Sequence, residues 1–224
     1  MRKILCALCA VCGILACTQD AYDKGEGKYS LMRGDFAEAR VNGDKRIDQI
    51  ITDDNEVLPT TELVTTKWIA TADTTYRCML YYNKVGTANG KPAAEIISIG
   101  QVPCPAVKSA FEFGQEVRTD PVKFESAWLS KSGKYLNLSL LLMTGVTDDT
   151  AAVQKLAVIA DTLLLHSDNT RALHLRLHHD QGGVPEYYST QTYLSLPTDS
   201  LPADTVHFSI NTYNGIVQKS FVLQ

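Results

Sequence analysis

The 224-residue sequence has no excess of positive charge: 21 lysines and arginines stand against 25 aspartates and glutamates, a formal net charge of −4. With no basic surplus to neutralise phosphates, nucleic acid is not expected as a partner. No apolar run reaches the roughly 20 residues that a hydrocarbon core requires. Residues 4–15 form twelve apolar or small positions, and 136–143 is interrupted by Asn137 and Ser139. Eight prolines and 14 glycines are too few for a collagen-like or low-complexity chain. Catalytic signatures are missing too. There is no Gly-x-Ser-x-Gly elbow, and Ser126, Ser189 and Ser195 lie in alternating stretches without the sharp turn that exposes an activated hydroxyl. Gly25-Glu26-Gly27 lacks the lysine of a phosphate loop. A non-enzymatic protein without a cofactor is the resulting expectation.

What is present begins at the N-terminus. Arg2 and Lys3 precede the apolar run 4–15, and Ala16-Cys17 follows it. A cationic start and a short apolar segment are the physical signature of a secretory leader. Ile14-Leu15-Ala16-Cys17 resembles the lipobox of bacterial lipoproteins, which implies cleavage before Cys17 and diacylation of its thiol. Each acyl methylene contributes about 0.8 kcal/mol of membrane affinity, so two chains anchor stably. Losing residues 1–16 removes Arg2 and Lys3 and leaves 19 basic against 25 acidic side chains, a net −6. Residues 17–28 then read as the lipidated cysteine and a polar tether spanning about 20 Å. Thr18, rather than an aspartate, after Cys17 fits outer-membrane sorting. The expectation is an envelope protein held to membrane lipid through Cys17.

Once Cys17 is acylated, Cys78 and Cys104 are the cysteines left in the mature chain. An oxidising compartment permits a disulfide, but sequence cannot supply the Cα separation that a bridge requires. Two separate thiols acting as small apolar groups are the alternative, and both stay open.

Period-2 alternation runs from Tyr29 to the end and predicts an all-β chain. Strands are expected at 29–41, 46–51, 63–70, 75–85 and 93–101, a number suited to a small barrel. A short helical turn is expected over 106–111, and polar residues 114–121 read as a linker. Seven strands of an antiparallel sandwich are expected to follow at 124–130, 134–144, 155–165, 172–180, 187–196, 205–213 and 216–223. Leu136, Leu138, Leu140 and Leu142 share one face, which marks that strand as central. Asn214-Gly215 marks a tight hairpin between the last two strands. The domain boundaries are therefore expected at 29–117 for the barrel and 118–224 for the sandwich.

Three clusters raise the question of chemistry. Alternation points His174, Arg176 and His178 outward, and residues four apart on a strand lie about 13 Å from each other, too far to share an ion. No metal site is expected. Asp53, Asp54 and Glu56 lack the glycine and distal glutamate of a calcium loop and read as a polar turn. Arg33-Gly34-Asp35 falls inside a predicted strand. Tyrosines cluster as Tyr76, Tyr81 and Tyr82 and as Tyr187, Tyr188 and Tyr193. The second group is a candidate platform for a glycan or peptide, although tyrosine is also simply a good strand residue.

Tyr135-Leu136-Asn137-Leu138, Leu175-Arg176-Leu177-His178-His179-Asp180 and Tyr193-Leu194-Ser195-Leu196, together with the lipobox and the two β modules, resemble the NigD-like lipoproteins of Bacteroides-type bacteria. The resemblance implies an N-terminal OB-like barrel followed by a C-terminal β-sandwich, and a role associated with bacteriocins or immunity to them. It implies no catalytic residues. The alternative function is an accessory lipoprotein that binds a glycan or peptide.

Overall fold

The computed structural model describes residue 27, residues 29–87 and residues 89–223. The expected leader, the lipidated Cys17 and the tether up to residue 26 lie outside the described residues. Residues from Arg33 onward form one compact unit.

Five strands close the barrel: β1 (Arg33–Val41), β2 (Ile47–Thr52), β3 (Val57–Val64), β4 (Thr74–Gly86) and β5 (Pro92–Gln101). Their order is β1-β2-β3-β5-β4, and β4 returns to β1 along a nine-residue antiparallel register. Only the β3–β5 contact is parallel. Alternation sets the interior: Ala37, Ala39 and Val41 of β1 and Cys78, Leu80 and Tyr82 of β4 point inward and are buried. Small side chains at 37, 39 and 94 leave room for Ile47, Ile50, Leu58 and the Tyr82 ring in a narrow core. The third strand is not at 63–70, as the pattern predicts, but at Val57–Val64. Pro59 disguised it, because proline removes a ladder donor. Pro59 nevertheless stands in register with Gln49 of β2, and β3 meets β5 at the single register pair Thr60 with Ala94.

The sandwich packs a five-stranded sheet, β13-β12-β10-β9-β6, on a three-stranded sheet, β11-β8-β7. Its strands are β6 (Val107–Ser109), β7 (Lys123–Leu129), β8 (Tyr135–Thr144), β9 (Lys155–Leu165), β10 (Arg171–Asp180), β11 (Tyr188–Pro197), β12 (Thr205–Thr212) and β13 (Gly215–Val222). All seven predicted strands are present. The eighth, β6, was hidden in the predicted helical turn and pairs in parallel with β9, so sandwich residues begin before Gly114. A four-residue helix, α1 (Ala110–Phe113), follows; Ser109 and Glu112 form a reciprocal cap at its start. The sheet is not wholly antiparallel, because β10 also runs parallel to β12.

The four alternating leucines of β8 are buried and face Val158, Leu173, Leu175, Phe208 and Ile210 across the core. Segment 114–121 is pinned rather than free: Asp120 N–H donates to the His179 carbonyl, and His179 N–H donates to that of Arg118. The last hairpin forms, but its two-residue tip is Tyr213-Asn214, with Gly215 taking φ +105° as the first residue of β13.

Candidate functional site

The inner face of β8 builds the core, so its other face must be covered or wetted. Asn137, on that other face, is completely buried, and Ser195 is its register partner on β11. Both are covered by the barrel. Arg77 of β4 points out of the barrel and sits with its side chain only 2% exposed. Its Nη1 and Nη2 donate to the two carboxylate oxygens of Asp53 at 2.6 and 2.8 Å. Nη2 also donates to Asn137 Oδ1 at 3.1 Å, and Nε donates to Ser195 Oγ at 3.2 Å. Ser195 Oγ donates in turn to Asn137 Oδ1 at 2.7 Å. The guanidinium lies 4.0 Å from the centroid of the Tyr135 ring. Four donor contacts in a fork geometry, two to barrel and two to sandwich, tie the modules into one frame.

Aromatic packing extends that joint. Phe36 of β1 meets Trp128 of β7 edge-to-face at 5.4 Å and Tyr193 of β11 at 5.1 Å. Polar contacts rim it: the Tyr135 hydroxyl donates to Glu38 at 3.0 Å, and Lys131 pairs with Asp54 at 2.9 Å.

Three clefts open around the joint. One, of about 380 Å³, is lined by Asp35, Phe36, Asp54, Met79, Trp128 and Lys131 among others. A second of about 380 Å³ lies between Glu38, Tyr135, Lys134 and Asp199. The third, of about 360 Å³, runs between the outward face of β4–β5 (Met79, Tyr81, Ser98, Gly100) and Gln191 to Tyr193 of β11. Volumes of this size suit small ligands or single side chains of a partner. The Asp53–Asp54 turn, read from sequence as a polar turn, thus supplies the acceptor for Arg77 and a rim charge.

The three candidate platform tyrosines do not form one surface. Tyr193 belongs to the joint, whereas Tyr188 lies five residues earlier on the same strand and therefore on the opposite face. Tyr187 precedes β11 and lies over Gly145, where a Cβ would meet its ring at 2.7 Å. Cys78 and Cys104 are both free thiols, so the pairing left open by the sequence is not formed here. Cys78 faces the barrel interior, donates to the Ala37 carbonyl and is pushed up to about 12 by burial. Cys104 is exposed on the segment after β5.

The histidines also depart from the predicted solvated strand face. His178 is 2% exposed because Phe113 of α1 meets it edge-to-face at 4.6 Å and the Arg118 N–H donates to its Nδ1. His179 donates from Nδ1 to the Asp120 carbonyl. His174 instead stacks on His207 at 4.8 Å across the parallel β10–β12 pair. Intrastrand spacing could not reveal that neighbour, nor could it reveal the Arg77 knot. The one legible hint of the knot was an arginine, an asparagine and a serine at positions where strand alternation runs through apolar company.

A family model described as the NigD-like C-terminal beta sandwich domain matches residues 105–222. No curated protein matches the chain. Among solved structures, a NigD-like immunity protein from Bacteroides caccae ATCC 43185 is similar at TM-score 0.67 and 23% identity, covering 85% of this chain and 96% of that one. A protein of unknown function from Bacteroides vulgatus ATCC 8482 gives 0.60 at 14% identity, covering 86% and 90%. A candidate lipoprotein from Bacteroides fragilis NCTC 9343 gives 0.58 at 11% identity, covering 85% and 96%. At such identities the likeness establishes a shared fold of both modules.

Proposed function

Because this chain belongs to the family of the NigD-like C-terminal β-sandwich domain, we propose that it is a non-enzymatic binding protein of the cell envelope that acts in bacteriocin immunity. It is lipid-anchored through Cys17, on the outer membrane, and engages the toxin or the toxin's membrane target. The observation that carries this reading is the joint. Arg77, Asp53, Asn137 and Ser195 hold barrel and sandwich as one frame around three clefts. A frame fixed before binding loses less conformational freedom when a partner docks, which lowers one of the costs of association. The similarity to a protein named as a NigD-like immunity protein supports the immunity role. The likeness to a candidate lipoprotein supports the anchor.

The test is genetic. Cells deleted for the gene are challenged with culture supernatants from a broad panel of sibling strains and complemented with wild type or Cys17→Ser. Sensitivity that wild type rescues and Cys17→Ser does not is the expected result. Unchanged survival of the deletion across the panel refutes immunity, and full rescue by Cys17→Ser refutes the requirement for an anchor.

A further inference from the structure

The cleft between β4–β5 and β11 has a chemistry that goes beyond the immunity reading and does not depend on it. Its walls are the outward faces of two modules, and its floor contains Gly100, where an added Cβ would meet nothing within 4 Å. Tyr81 forms one side. Its ring lies against the bare backbone of Gly34, its register partner on β1, where a Cβ would come within 3.1 Å of the ring. A glycine facing an aromatic across two strands fixes that ring against the sheet. Tyr193 forms the opposite side and is held edge-on by Phe36. Burial, then the nearby Tyr81 and Glu125, raise the Tyr193 hydroxyl's pKa.

Beside Tyr193 stands a prearranged polar triad. Gln191 Nε2 donates to Glu125 Oε2 and to Ser139 Oγ, both at 2.6 Å, and Ser139 Oγ donates to Glu125 Oε2 at 2.7 Å. These bonds use the amide donors and one carboxylate oxygen. Gln191 Oε1 and Glu125 Oε1 have no protein partner among the described residues and remain as two fixed acceptors. Ser98, the register partner of Tyr81 on β5, adds a hydroxyl along the same cleft.

We propose that this cleft binds carbohydrate, with a sugar ring between Tyr81 and Tyr193 and its hydroxyls on Gln191, Glu125 and Ser98. Rigid aromatic sides match the apolar C–H faces of a pyranose, and oriented amide and carboxylate acceptors match vicinal hydroxyls. A basic peptide fits less well. Glu125 is solvent-exposed, so a salt bridge to it is screened by water and adds little. Strand addition along the outer edge of β11 is obstructed too, because Ser195 N–H on that edge already donates to the Pro103 carbonyl.

The experiment uses the full chain in a detergent without a sugar headgroup. The protein is applied to an array of bacterial and host oligosaccharides and, in parallel, to a library of basic and neutral peptides. Three proteins are compared: wild type, Gly100→Phe, which fills the open floor, and Gln191→Ala. A Cβ added at Gly100 meets nothing within 4 Å, and an unchanged thermal midpoint verifies the fold of Gly100→Phe. Binding to a glycan that falls at least tenfold in both variants is the expected result. A blank array, glycan binding that both variants leave unchanged, or peptide binding that Gly100→Phe abolishes would each overturn the assignment. Loss of immunity and loss of glycan binding are read in separate assays, so either reading can fail alone.

Discussion

Replacing Arg77 with alanine tests whether the barrel and sandwich are one frame. The substitution removes four donor contacts at once: two to Asp53, one to Asn137 and one to Ser195. It leaves an aspartate whose side chain is 18% exposed without its cation and a fully buried asparagine short of one donor. Breaking a buried charge pair from one side costs about 3–5 kcal/mol, most of it the penalty for the group left behind. With a urea m-value of about 2 kcal/mol/M, the unfolding midpoint should fall by roughly 2 M. Arg77→Lys keeps the charge but not the fork, and should recover less than half of the loss. The chain has two tryptophans, and they report on different places. Trp68 packs on Tyr76 in the barrel, while Trp128 packs on Phe36 at the joint. Fluorescence of Trp68→Phe and Trp128→Phe backgrounds therefore follows each module separately. Wild type should give coincident transitions, and Arg77→Ala should move the Trp128 signal to lower urea than the Trp68 signal. An Arg77→Ala protein within 1 kcal/mol of wild type, with both signals unmoved, would refute the reasoning.

Thiol labelling provides a second check. Native protein at pH 8 should lose Cys104 to iodoacetamide and keep Cys78, whose thiol is buried and pushed up to about 12; mass mapping that finds equal labelling contradicts the burial. Acid should weaken the sandwich through His178. Burial, the dominant influence, holds its pKa below the ordinary value of about 6.5, so below that pH the unfolded chain binds a proton that the native one does not. Stability should be level above pH 6.5 and fall as pH drops, by at most about 1.4 kcal/mol per pH unit for this group. Urea titrations at pH 7.5 and 5.5 should show that slope flattened in His178→Phe. Gly182→Ala should cost more than about 2 kcal/mol, because Gly182 has φ +55° and a Cβ there would lie 2.1 Å from the Val153 carbonyl oxygen. Gly100→Ala, in open space, should fall within about 0.5 kcal/mol of wild type, and a reversed ranking in thermal melts would contradict the packing.

By itself the sequence determined the period of each segment and hence the fold class. Two-residue alternation is a local property, so the β8 leucines and all seven predicted sandwich strands could be read in order. It also carried the lipobox signature on which the proposed anchor rests. Local pattern failed where a proline interrupted β3 and where three residues of β6 were too short to show a period. Tertiary structure alone decided which outward faces meet. Arg77 and Asn137 are 60 residues apart, and Arg77 and Ser195 are 118 apart. Period-2 alternation says only that such residues face away from their own module's core. Whether that face meets water or another module depends on how two closed cores are docked. That docking turned Arg77 and Tyr193 from apparent surface residues into buried or half-buried parts of the frame, while Phe113 and the Arg118 backbone covered His178.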